Sequence, residues 1–458
     1  MKIMFAKINF HDEFYQKLKL LVLPITMQQF MLALVSATDA IMLGAVSQTS
    51  LSAVSLAGQI QFVLNLFISG ISAGSGIMAA QYWGKKDAAS IEEVMPIALR
   101  TNLIFSGAFT VFAAVAPEVL MRIFTSDPAL IESGAVYLRA VSLSYLLCGI
   151  SQIYLILLKN TGYATVSSRI SCTAVVVNII CNAILIYGLL GLPALGIQGA
   201  AYATVAARLV ELIWSYLETK QSGRVQIIWK KMFRAADAVL TKDFWRYTTP
   251  VLGAALVWGI AYVSYSVIMG HMGSDAVAAN SITTIAKNML SCLIRGVSGG
   301  AGVLIGNLLG AGELDKAKVY GGRLTRMAIV VGMTTGGLLM LISPLIVRFA
   351  PLSETAAEYL QYMLIFCGCN IMAQSVNTTV LDGIFCAGGD SKFDMKGNLG
   401  AMWCFSVPFG FFAAFVLKWP VMVVYCIVNL DEIVKIPAVY LHYKKYIWVR
   451  NITVQEEA

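Results

Sequence analysis

The sequence predicts an all-α membrane protein, with twelve transmembrane helices in two parallel-repeat six-helix lobes around a central cavity. Three observations carry this. Of 458 residues, 58% are apolar and only 13% charged, whereas a soluble domain carries about 25% charged residues. The apolar residues gather into runs long enough to cross a bilayer. The first part of the chain also recurs in the second half at a constant offset. Burying so apolar a chain in water would leave large apolar patches exposed, and the same hydrophobicity excludes disorder.

A spanning helix needs about 20 mostly apolar residues. Such runs fall at 20–43, 51–80, 94–116, 137–158, 166–188, 196–217, 248–270, 277–305, 323–343, 359–387, 398–417 and 420–442. None alternates with period two, so a transmembrane barrel is not expected. The first run lacks the flanks of a cleaved signal peptide. Residues 1–19 interleave Phe5, Ile8, Phe10 and Phe14 with Lys7, His11, Lys17 and Lys19, a pattern that suits an interfacial segment. Basic residues divide unequally between the two sides of these runs, with 25 Lys and Arg on one side, four on the other and four inside spans. That bias places both termini and the 218–247 loop in the cytoplasm and requires an even number of spans.

Residues 24–84 align without gaps on 250–310. Five of the six glycines in the first window meet glycines in the second: Gly44/Gly270, Gly70/Gly296, Gly74/Gly300, Gly76/Gly302 and Gly84/Gly310. Chance predicts about one such match. Pro24/Pro250, Ser55/Ser281 and Ser72/Ser298 also coincide. The expected organisation is an N-lobe over 20–217, a linker loop over 218–247, a C-lobe over 248–442 and a cytoplasmic tail over 443–458. Two lobes of six spans enter the membrane from the same side, an arrangement that suits alternating access.

Polar residues inside spans are the functional candidates, because an ionised side chain at the bilayer centre costs about 2.5–3.5 kcal/mol on insertion scales. Asp39 lies late in the first span, opposite Tyr265 in the repeat, so the acid belongs to one half only. It is either solvated at the outer interface or held in a polar pocket that takes up a proton or cation. Asn178 and Asn182 share one helix face, as do Gln61 and Asn65; these amides either serve Asp39 or join helices. In the second half, Lys287, Ser291 and Arg295 stand at four-residue spacing, and the tenth run offers Asn370, Gln374, Asn377 and Asp382. Two cations in a span need partners or water, so Asp382 is expected to neutralise one of them, or Lys287 to sit at the cytoplasmic mouth. Gln61, Asn65, Tyr265, Lys287, Arg295, Asn377 and Asp382 are the candidate cavity residues. Arg208/Glu211 and Glu432/Lys435 read as local ion pairs near span ends.

Nothing in the sequence suggests catalysis. It contains no GxxxxGK[ST], GxSxG or HExxH pattern. Its three histidines are scattered, and its nine cysteines lie in apolar runs without a Cys-x-x-Cys pair, as packing residues do. The Gly70–Gly76 run lies inside a span with no preceding strand and is not a dinucleotide fingerprint. No enzyme activity and no cofactor beyond a coupling ion are expected.

As a set, several segments resemble the multidrug and toxic compound extrusion (MATE) family, in its bacterial DinF/NorM-like form. They are Pro24 with Asp39–Gly44, AAQYWGKKD (79–87), NIICNAILIYG with GLPALGIQGAAYATVAAR (178–208), IMGHMGSDAVAANS (268–281), VLIGNLLGAGELDKA (303–317), FCAGGDSKF (385–393) and the stretch over 430–453. The resemblance implies a V-shaped pair of six-helix lobes that expel bulky, often cationic amphiphiles in exchange for H⁺ or Na⁺. It implies that Asp39 binds the coupling ion with Asn178 beside it. Asn182 stands where some members have a second aspartate, and the seventh span lacks the glutamate of some Na⁺-linked members.

The function expected is therefore secondary antiport of xenobiotics or organic cations. The site would use Asp39, Asn178 and Asn182, in a multi-pass monomer of the cell membrane with no nucleic-acid partner. The alternative is a lipid-linked saccharide flippase of the same superfamily, in which Lys287 and Arg295 would meet a pyrophosphate headgroup.

Overall fold

Helices account for the regular structure throughout, with no strand among the described residues. The computed structural model describes residues 12–234, 237–350 and 352–454, the side chains of 36, 37 and 40 aside. The expected interfacial segment 1–19 falls largely outside them, and by Glu13 the chain is already helical. In order, the helices are α1 (Glu13–Val46), α2 (Gln48–Gly84), α3 (Ala88–Val115), α4 (Pro117–Arg122), α5 (Pro128–Asn160), α6 (Ala164–Tyr187), α7 (Gly196–Thr219) and α8 (Trp229–Met232). They continue as α9 (Ala238–Gly270), α10 (Ser274–Gly310), α11 (Leu314–Phe349), α12 (Glu354–Thr378), α13 (Ser391–Asn398), α14 (Val407–Phe411), α15 (Val421–Val428) and α16 (Asp431–Tyr443). π-helical turns at Thr379–Phe385, Leu399–Ser406 and Phe412–Val416 extend α12 and join α13 to α14 and beyond.

Among the described residues, ten helical stretches are long and apolar enough to cross a membrane. The two remaining apolar runs are helical as well. Run 196–217 is α7, whose Arg208, Glu211 and Glu218 lower its hydropathy. Run 420–442 is α15 followed by α16, interrupted at Asn429–Leu430. Local chemistry sets the helix starts. Ser47, Asp87, Asp127 and Ser353 each accept a backbone N–H of the first turn of α2, α3, α5 and α12, satisfying a donor that the helix leaves unpaired. Gly188, at φ 70°, ends α6 in the left-handed conformation, which glycine adopts without steric cost.

The chain forms two compact units, one of residues 30–263 and one of 1–29 with 264–458. These bounds divide α1 and α9, whereas the sequence repeat places each wholly within one lobe. In the 30–263 unit, a Cβ on Gly70 of α2 would stand 2.8 Å from Leu252 Cα of α9, and one on Gly74 would stand 2.5 Å from Thr248 Oγ1. In the other unit, Gly296 of α10 packs equally tightly on Thr26 of α1, and a Cβ on Gly300 would stand 2.9 Å from Val22. Gly70/Gly296, Gly74/Gly300 and Thr26/Leu252 are repeat pairs, and Val22/Thr248, just ahead of the aligned windows, stand at the same offset. The glycine register of the repeat is thus the register of one helix crossing, made once in each unit, where small residues let backbones approach.

Around these crossings the 30–263 unit packs Leu43, Leu64, Tyr137, Leu138 and Tyr145 into its core. The other unit has two clusters, one about Phe14, Val297, Phe385 and Trp448 and one about Ile268, Leu360, Leu364 and Val424.

Candidate functional site

In the 30–263 unit, Asp39 lies seven residues before the end of α1 and faces α6. Asn182 Nδ2 donates both to Asp39 Oδ1 and, at 3.1 Å, to Asn178 Oδ1. Asn178 Nδ2 continues the chain to Thr204 Oγ1 of α7 at 3.4 Å, and Thr204 donates to Ala200 O at 3.0 Å. The four-residue spacing of the two asparagines puts both amides on the α6 face that meets α1 and α7. A second tie joins the same helices, from Tyr187 OH to Met42 O at 3.1 Å. Tyr137 of α5 lies within electrostatic reach of the carboxylate.

One atom of this relay is unsatisfied. Asn182 Oδ1 is buried and has no hydrogen-bond partner, although buried acceptors are nearly always paired. An ionised Asp39 accepts from the amide as placed. A protonated Asp39 carries a donor instead, and the unpaired oxygen of a rotated Asn182 amide could take it. Nδ2 would then turn away from Asn178. Gain or loss of a proton at Asp39 is in this way tied to a bond between α6 side chains. Gln61 and Asn65 of α2 make no hydrogen bond to Asp39 in the structure; Asn65 is exposed and Gln61 half-buried.

The same unit holds a buried carboxylate that the sequence reading undervalued. Glu211 of α7, 1% exposed, pairs with Arg208 at 2.8 Å. It also accepts from Ser151 of α5 at 2.9 Å and Ser171 of α6 at 3.4 Å. The expected ion pair exists, but it clamps three helices rather than decorating a span end. The serines that reveal this are remote in sequence and carry no periodic signal.

In the other unit, Asn377 of α12 donates to Glu432 at both its backbone O (2.6 Å) and Oε2 (2.8 Å). Lys435 stands 3.3 Å from both Glu432 and Asp431. Asp431 and Lys435 are each 5% exposed, so this pair too is buried rather than local to an end. Asp394 of α13, also buried, accepts from Asn398 at 3.0 Å. Lys287 lies within electrostatic reach of Asp431 and Glu432, and Arg295 within reach of Asp382. Asp382 forms no ion pair with Lys287 or Arg295 in the structure, so the expected direct neutralisation is not made. Arg295 and Asp382 are both exposed on this unit. Charged side chains within spans face water or protein rather than lipid. Tyr265, the repeat counterpart of Asp39, is half-buried beside the second apolar cluster and within electrostatic reach of Asp431 and Glu432. Asp431 had a legible signal, an acid inside the apolar run 420–442, whereas Asp394 lies between two runs and carried none.

Apolar helices enclosing paired charges and a carboxylate–amide relay define a polytopic membrane transporter. The sequence model of the MatE family matches residues 24–184 and 250–412, and the chain belongs to that family. It is 22% identical over 417 residues to an uncharacterized transporter, YisQ, of Bacillus subtilis, covering 90% of each chain. It is 24% identical over 424 residues to a probable multidrug resistance protein, NorM, of Bacillus cereus, covering 89% of this chain and 90% of the relative. Among solved structures, a MOP superfamily transporter from Pyrococcus furiosus superposes with a TM-score of 0.85 at 18% identity, over 94% of this chain and 95% of that one. A MATE crystallised with MaL6 gives the same score and identity over 94% and 96%. These structures share the fold.

Proposed function

We propose that this protein is a secondary antiporter that expels amphiphilic, often cationic compounds from the cell in exchange for H⁺ or Na⁺, with Asp39 as the coupling carboxylate. The observation that carries this reading is the Asp39–Asn182–Asn178 relay, a half-buried carboxylate whose amide neighbour keeps an unpaired oxygen. An ion gradient can drive export only if ion and substrate favour different states of the protein. A carboxylate whose protonation rearranges contacts between α1, α6 and α7 supplies such a bias. The relatives named for multidrug resistance support the substrate class. The basic-residue bias supports a plasma-membrane protein with cytoplasmic termini. The flippase alternative is weaker, because Lys287 and Arg295 have acids within electrostatic reach and do not stand as unopposed cations awaiting a pyrophosphate.

The test is export of a fluorescent organic cation from proteoliposomes under independently imposed pH and sodium gradients. Either gradient alone driving export supports antiport and names the ion. No response to either gradient overturns it.

A further inference from the structure

We propose that the 30–263 unit carries a binding site for a zwitterionic phospholipid headgroup, one with a phosphate and a primary ammonium, in the cavity where α4 leads into α5. The cavity holds about 780 Å³, within the range of small-molecule sites. Its polar lining comes from Glu118 and Arg122 of α4, Thr125 and Ser126 of the connection, and Glu132 and Arg139 of α5. All of its lining residues fall between 118 and 139, so the site is complete within this unit.

Charge selects the ligand. Arg139 is already committed: its guanidinium pairs with Glu118 at 3.0 Å, and its Nε donates to Ala114 O at 3.4 Å. Arg122 and Glu132 are exposed, and among the described residues neither has an ion-pair or hydrogen-bond partner. One cavity therefore presents one open cation and one open carboxylate. An anion alone would meet Glu132 as a like charge, and a cation alone would meet Arg122. A ligand carrying both charges satisfies both, with a phosphate on the guanidinium fork and an ammonium donating to the carboxylate. Neutral donors back the phosphate end. Thr125 Oγ1 accepts the Asp127 N–H at 3.1 Å, which leaves its hydroxyl proton free to donate, and the Ser126 hydroxyl beside it is exposed.

The surroundings identify the ligand as a lipid. Val111, Phe112 and Val115 at the end of α3, with Val119 and Ile123 at α4, are 60–76% exposed. Val119 and Ile123 stand four residues apart, on one face, while Pro117 and Met121 turn inward. Arg122 thus stands among exposed apolar side chains at the edge of a polar cavity, the composition of a membrane interface. Those side chains offer a path for acyl chains whose headgroup fills the cavity. The basic-residue bias puts this end of the unit at the outer leaflet. Occupied, the site ties the end of α4 to the start of α5. It stands apart from Asp39 and does not rest on the antiport reading.

Native mass spectrometry of the full-length protein, released from micelles holding equal mole fractions of phosphatidylethanolamine and phosphatidylglycerol, tests this. Wild type should retain phosphatidylethanolamine in preference. Arg122→Gln should lower that retention on the order of tenfold, as loss of a charged hydrogen bond does, and Arg122→Lys should keep most of it. Glu132→Gln leaves the cation without an opposing acid and should turn the preference toward phosphatidylglycerol. Both side chains are exposed and unpaired, so the unfolding midpoints of the lipid-free variants should match wild type and verify folding. The proposal is overturned if wild type prefers phosphatidylglycerol, or if Arg122→Gln and Glu132→Gln retain both lipids as wild type does. Free phosphoethanolamine displacing the lipid at equal concentration would equally overturn it, making the ligand a soluble zwitterion.

Discussion

Gly70 and Leu252 meet so closely that a side chain on the glycine would press on the leucine backbone, at 2.8 Å from its Cα. Their repeat counterparts, Gly296 and Thr26, do the same in the other unit. The contact therefore repeats because the crossing it permits repeats. Ala at Gly70 or Gly296 is expected to destabilise the protein by about 1–3 kcal/mol, as overpacking of a fitted contact does. Gly58, on the same helix as Gly70, has open space where a Cβ would go. Gly58→Ala should be neutral, so thermal unfolding of the three variants in detergent separates packing from a general glycine effect.

The Glu211 clamp makes a sharper energetic prediction. Glu211→Ala strands Arg208 beside two serines and should cost about 3–5 kcal/mol, as breaking a buried pair from one side does. Replacing both partners with Met and Leu should recover much of that loss. The comparison is the denaturation midpoint of single and double variants; equal losses in both would contradict the clamp.

Much of the fold was legible because membrane burial needs long apolar runs, and those runs show in composition. The repeat was legible because backbone contact tolerates only glycine at fixed positions. Asp39 with Asn182 was legible because a polar side chain in a span is conspicuous. The rest depended on tertiary neighbours. Nothing local links Ser151 to Glu211 or Asn377 to Glu432, and the break at Asn429 sits in a run whose hydropathy reads as continuous. The split of α1 and α9 between units could not be read either, since a continuous apolar helix does not announce where its packing partners change.

At the start of α1, Asp12 accepts the Phe14 N–H at 3.0 Å and the Arg323 guanidinium at 2.6 Å. The backbone N–H first, and then Arg323, hold its carboxyl below the usual carboxylate range. A depressed carboxylate contributes its stabilisation fully above its unfolded value and loses it as pH falls through the lower native one. The tie should therefore be intact at neutral pH and released only in strong acid. Asp12→Asn should abolish that acid-dependent part of the thermal unfolding profile and leave its neutral-to-alkaline part flat. A profile identical to wild type in acid would contradict the assignment.

Asn182 donates to Asp39, whereas Asn178 is linked to that carboxylate through Asn182. Asn182→Leu should reduce gradient-driven efflux by on the order of tenfold, equivalent to about 1.4 kcal/mol, and Asn178→Leu by clearly less. Initial efflux rates at matched protein density check the order. The reverse ranking would show that Asn178 contacts the ion directly.

The most direct test of the account is gradient-driven efflux by the Asp39→Asn protein reconstituted in vesicles, with folding and insertion verified. The relay requires a group at position 39 that can change its charge, so the variant should insert normally and lose coupled export. Export at the wild-type rate would show that the coupling ion is taken up elsewhere.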